Sequence, residues 1–193
     1  MTASRRIWLL AGLSAALLGA CAPPPPADFL QGIPLATPDG DTLKASSLHG
    51  HATAFLFLDP LCPMVQEASQ RGGMLEDLEA SLREDGSELV LVGVSTPREK
   101  LGTGEFRAWQ KDVRLQGRMI LDTAGILAHR EGIRRLPWAL VLDAKGTRRY
   151  SGPAESMQTD TSEFLLTNAA RRAMFGMNTP AGEEEGDGCP LDL

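Results

Sequence analysis

Ala54-Phe55-Leu56-Phe57-Leu58-Asp59-Pro60-Leu61-Cys62-Pro63-Met64-Val65 decides how this chain is read. Its first five residues are apolar without a break, too few to span a membrane and suited to a strand buried on both faces. Asp59-Pro60 breaks such a strand. Pro63 fits the first position of a helix, where a missing N–H costs nothing. Cys62 is thereby predicted at the N-cap, with unpaired helix N–H groups and the positive end of the helix dipole beside its sulfur. That setting favours thiolate over thiol and makes Cys62 a candidate nucleophile. The same position also suits a small buried cysteine that only fills space at a strand end.

Upstream, the chain begins with an export pattern. Arg5 and Arg6 precede a short apolar run over residues 7–18, and Leu18-Gly19-Ala20-Cys21 closes it. Residues 1–20 read as a secretory signal peptide, too short for a comfortable membrane span. The closing four residues resemble the bacterial lipobox, in which the cysteine becomes the lipidated first residue of the mature protein. The expectation is an exported protein held to a bacterial membrane by acyl chains on Cys21, its domain facing the periplasm or the cell exterior. Residues 21–27 add a run of four prolines, an extended spacer of roughly 20 Å at ~3 Å per residue. Without residues 1–20 the chain keeps 17 basic and 25 acidic side chains, a formal charge of −8. No basic cluster remains to track phosphates, which argues against nucleic acid as a partner.

The whole sequence has 193 residues, 42% of them hydrophobic, enough for one soluble domain with a real core. Residues 29–43 read as a hairpin turning at Pro38-Asp39-Gly40-Asp41. His49 and His51 flank Gly50 and read as loop residues, since no third metal ligand lies nearby. Beyond Cys62 a helical stretch is interrupted by Gly72-Gly73, then Met74, Leu75, Leu78 and Leu82 mark one apolar face. Residues 88–94 form a second buried strand, ended by Ser95-Thr96-Pro97. Residues 105–111 are a short helix with Phe106 and Trp109 on one side, and Met119-Ile120-Leu121 a short strand. Asp122 is expected to cap a helix containing Ile126 and Leu127. Pro137 opens an apolar strand, and Ala144-Lys145-Gly146 turns it into a partner. Residues 161–175 form a closing helix with Phe164, Leu165 and Ala169 on one face. Residues 176–193 read as a flexible acidic tail carrying Cys189. Strands alternating with helices and a final hairpin predict an α/β domain over 28–175 with a mixed central sheet flanked by helices.

This order resembles the thioredoxin-like fold in its redoxin or peroxiredoxin-like branch. Thr37-Pro38-Asp39-Gly40-Asp41-Thr42-Leu43 with Leu48-His49-Gly50 resembles the N-terminal β-hairpin extension of exported members. Phe57-Leu58-Asp59-Pro60-Leu61-Cys62-Pro63 resembles their active-site strand and loop. Gly132-Ile133, Leu136-Pro137 and Asp143-Ala144-Lys145-Gly146 resemble their C-terminal half. The resemblance implies a cis bond before Pro137, with that proline packed against the reactive cysteine. It also implies an oxidoreductase working on a thiol, disulfide or peroxide substrate, with a redox partner protein and no cofactor. The chain departs from the pattern at three positions. Val65 stands where thioredoxins have their second cysteine, and Asp59 where peroxiredoxins have a threonine. Gln66 stands where the copper chaperones of the same fold have a second cysteine, leaving Met64 as the one soft ligand near Cys62.

Gly188-Cys189-Pro190-Leu191 resembles an ending found on some redoxin-domain proteins, and the tail is long enough to bring Cys189 to Cys62. Export places both thiols in an oxidising compartment. Three outcomes stand open: Cys189 as a resolving thiol in a redox cycle, a static staple, or two free thiols. The leading expectation is a membrane-anchored thiol oxidoreductase using Cys62, Pro137 and Cys189. Its rival is a non-catalytic lipoprotein that uses the same fold as a binding or scaffolding module with a structural disulfide.

Overall fold

The computed structural model describes residues 35–48, 50–70, 74–95, 102–154, 165–180 and 188–191. The signal peptide, Cys21 and the proline spacer lie outside these residues, as do His49, Gly72-Gly73, Thr96-Pro97, Phe164 and the acidic run at 183–187.

The chain opens with strands β1 (Leu35–Ala36) and β2 (Thr42–Leu43) and a 3-10 turn at Ala45–Leu48. Strand β3 (Thr53–Leu58) leads to helices α1 (Pro63–Gln70) and α2 (Met74–Glu84), then β4 (Glu88–Gly93). Helix α3 (Thr103–Asp112), β5 (Arg118–Leu121) and α4 (Ile126–Arg130) follow. The C-terminal part holds β6 (Arg135–Leu136), β7 (Trp138–Leu142), β8 (Arg148–Pro153), α5 (Leu165–Met174) and β9 (Cys189–Pro190).

One mixed sheet runs in the order β2-β1-β5-β4-β3-β7-β8. β3, β4 and β5 are parallel neighbours, with α1–α2 and α3 as the crossovers between them, while β7 returns antiparallel against β3 and β8 against β7. The hairpin β1–β2 adds to the opposite edge through β5. β3 is buried along its whole length because both faces of the sheet are covered. Ala54, Leu56 and Leu58 enter one apolar cluster with Leu78 and Leu82 of α2 and Ala169 of α5. Phe55 and Phe57 enter the other with Leu127 and Ala128 of α4, as period-two side-chain alternation requires. The apolar faces expected on α2 and α3 thus line the inside of the helical layers. Of the face expected on α5, Ala169 is buried there, while Phe164 and the Leu165 side chain lie outside the described residues. Phe106 lies so close over β4 that a Cβ on Gly93 would sit 2.7 Å from its ring, so only glycine fits there.

Three expectations need correction. Gly125, with φ +65°, occupies the N-cap of α4, not Asp122. Asp122 caps from further back, its Oδ2 accepting the Ala128 N–H at 2.8 Å. His51 is not a plain loop residue: its Nε2 lies 2.7 Å from Glu88 Oε2, and Arg118 pairs with the same carboxylate. The tail, expected to be flexible over 176–193, is held on the domain at both of its described ends. Thr179 N–H donates to the Arg149 carbonyl at 3.0 Å, and β9 pairs with β6 in a second, two-stranded sheet. Backbone pairing and an apolar residue at 191 outweigh the acidic composition on which the expectation rested.

Candidate redox site

The turn after β3 builds the Cys62 position from its own backbone. Cys62 N–H donates to the Asp59 carbonyl at 2.9 Å, and Leu61 N–H to Asp59 Oδ1 at 2.8 Å. Asp59 is fully buried, its carboxylate engaged in shaping this turn. α1 begins at Pro63, and Gln66 N–H donates to the Cys62 carbonyl at 2.9 Å. Cys62 is therefore the N-cap, as its spacing from Pro63 implies. Its residue surface is only 3% exposed.

The second wall comes from the opposite end of the sequence. The Leu136–Pro137 bond is cis, and Pro137 separates β6 from β7. The Leu136 carbonyl oxygen lies 3.7 Å from Cys62 Sγ. This is a contact and not a hydrogen bond in the structure, because the sulfur carries no proton: it is bonded to Cys189. A reduced Cys62 thiol would find an acceptor there. Beside this loop Trp138 Nε1 donates to Ser151 Oγ at 3.0 Å, fixing the indole.

The third wall is β9. Cys62 and Cys189 form a disulfide with an S–S distance of 2.00 Å and a Cα–Cα distance of 5.9 Å. Cys189 lies opposite Leu136 in the β6–β9 ladder, and Leu191 N–H donates to the Arg134 carbonyl at 2.8 Å. Arg135 Nη1 donates to the Gly188 carbonyl at 3.2 Å. Leu191, 6% exposed, belongs to the apolar cluster of Phe57, Ile133 and Leu136.

The structure thus brings together Cys62, Cys189 and the loop before Pro137. In the sequence Leu136 and Leu191 stand out only as neighbours of Pro137 and Cys189, with no role of their own, and Arg135 does not stand out. For Leu191 a signal existed, because residues i and i+2 of a strand share a face and Cys189-Pro190-Leu191 has that alternation. Arg135 and the Leu136 carbonyl leave no such mark.

No protein-family model matches the chain, and no curated protein matches it. Solved structures do. A hypothetical protein from Sinorhizobium meliloti superposes with a TM-score of 0.66 at 14% identity, over 82% of this chain and 88% of that one. A secreted disulfide oxidoreductase of Mycobacterium tuberculosis, homologous to E. coli DsbE, gives 0.53 at 16% identity, over 76% and 97%. The exposed lipoprotein thioredoxin of Streptococcus pneumoniae gives 0.54 at 18% identity, over 75% and 98%. Together with the sheet order and the helical layers on its two faces, these likenesses show that the chain has the thioredoxin-like fold.

Proposed function

We propose that the protein is a thiol–disulfide oxidoreductase of the bacterial cell envelope, anchored by acyl chains on Cys21, with Cys62 and Cys189 as its redox couple. The observation that carries this reading is their bond: it joins the N-cap cysteine beyond the central strand to a strand lying along the residue before cis-Pro137. The likeness in fold to a disulfide oxidoreductase and to an exposed lipoprotein thioredoxin supports it. In the reduced enzyme, the Cys62 thiolate attacks one sulfur of a substrate disulfide and expels the other as thiolate. Cys189 thiolate then attacks the Cys62 sulfur, releasing the second substrate thiol and leaving Cys62–Cys189. Two electrons have passed to the substrate, and a dithiol partner protein returns them. Helix-terminus N–H groups favour the Cys62 thiolate both as attacking group and as leaving group. Pro137 shapes the wall beside the sulfur and offers no N–H of its own. A disulfide suits this site better than a peroxide, because the buried Asp59 puts a carboxyl group where peroxiredoxins have a hydroxyl.

The burial of Cys62 favours a second reading, in which the bond is a permanent staple on a binding module. Turnover separates the two. With the mature chain and a glutathionylated peptide as substrate, wild type should accelerate exchange well above background. Cys62→Ser should not, and Cys189→Ser should stop as a mixed disulfide on Cys62. Equal background rates for all three would overturn the redox reading and leave the staple. For the anchor, mass spectrometry of the mature N-terminus should find a lipidated Cys21, and an unmodified start at any other residue would overturn it.

A further inference from the structure

The last described residues do more than carry a sulfur. Among the described residues, the noncovalent contacts of 188–191 are one short ladder, a side-chain hydrogen bond from Arg135, a backbone bond from Leu191, the buried Leu191 side chain and the partly buried Cys189. Pro190 has no N–H to add to that ladder. Of these contacts, only Leu191 removes a large apolar side chain from water. Leu191 follows Cys189 by two residues, just beyond β9, so burying Leu191 limits where the Cys189 sulfur can stand relative to Cys62.

We propose that Leu191 is the positioning residue of this redox couple, its burial coupled to the Cys62–Cys189 bond, so that residues 188–191 are docked when the bond is formed and released when it is reduced. The inference rests on the redox couple proposed above and adds what governs its equilibrium. Among the described residues, these noncovalent contacts are too few to order four residues by themselves, so the bond and the docking need each other. When the pair is oxidised by glutathione disulfide, Cys62 thiolate attacks it and one glutathione thiolate leaves. Cys189 thiolate attacks the Cys62 sulfur, and the second glutathione thiolate leaves. The two protons from the protein thiols pass to the two glutathiones. Burial of Leu191 accompanies the second step alone and pulls it towards the closed bond.

The test needs no turnover. The mature chain is equilibrated in glutathione buffers of graded ratio, and the fraction of Cys62–Cys189 is read by alkylation and mass spectrometry. Leu191→Ala should lower the equilibrium constant for closing the bond by about tenfold or more, the scale of a truncated buried leucine. Leu191→Met, of similar volume and apolarity, should restore most of it. Hydrogen exchange should find the Leu191 N–H protected in the oxidised protein and unprotected in the reduced one. An equilibrium constant unchanged in Leu191→Ala would overturn the proposal, as would protection that persists after reduction. Absence of catalysis in the exchange assay would leave these equilibria untouched, so the two readings fail separately.

Discussion

Cys62 stands beyond a six-residue strand buried on both faces and paired on both edges, whereas Cys189 stands on a two-residue strand paired on one. The first sulfur is placed by the core, by the Asp59 turn and by the start of α1. The second is placed by a ladder pair, an arginine and Leu191. Burying one leucine stabilises by about 1.5–3 kcal/mol. Ordering the backbone of each residue costs about 1–2 kcal/mol, so burial of that leucine alone does not offset the ordering of four docked residues. On the proposed reading, such a pair has one fixed partner and one conditional partner, as a reversible couple requires.

The harshest way to break the comparison is to remove the support under Cys62. Phe57 is fully buried in β3, and Phe57→Ala should cost about 3–5 kcal/mol of stability in urea unfolding, with or without reductant. Support under Cys189 should prove narrower. Cys189→Ser should lower the stability of the oxidised protein by about 2–4 kcal/mol through the lost cross-link over 127 residues. Under reductant it should match wild type. A deficit that survives reductant would mean that Cys189 holds the fold by packing and not by its bond.

A finer measurement compares the two thiols directly. After reduction at neutral pH, iodoacetamide should label Cys62 severalfold faster than Cys189, because only Cys62 has a helix N-terminus beside it. Equal rates would remove the electrostatic difference between them. The smallest effect lies away from both sulfurs, at Asp143 in the turn between β7 and β8. Burial alone would raise its pKa, but hydrogen bonds from Thr147, Arg149 and Lys145 outweigh burial and hold it below the ordinary carboxylate value. A carboxyl held low contributes stability above its unfolded pKa and loses it as pH falls through the folded one. Asp143→Asn should therefore be less stable than wild type at pH 7, and the gap should close as pH falls below about 4. A gap constant in urea midpoints across that range would show that charge is not what Asp143 contributes.

Sequence alone determined the parts whose cause is local. The unbroken apolar run at 54–58 can only be buried on both sides, Pro63 starts a helix, and Cys62 then has to cap it. Leu75, Leu78 and Leu82 mark a face by their spacing, and Pro38-Asp39-Gly40-Asp41 a turn. Even the cis bond before Pro137 was legible, through likeness to a known pattern. Where a residue's role depended on something distant, local reading stopped short. Asp122 looked like an N-cap, but Gly125 can adopt the left-handed conformation found there and Asp122 reaches past it to Ala128. His51 met Glu88 only because β3 and β4 are neighbours. The acidic composition of the tail pointed to solvent. Tertiary structure decided that its end is a strand, because the β6 backbone and an apolar cluster shared with Phe57 become available to Cys189 and Leu191 only after the sheet has assembled.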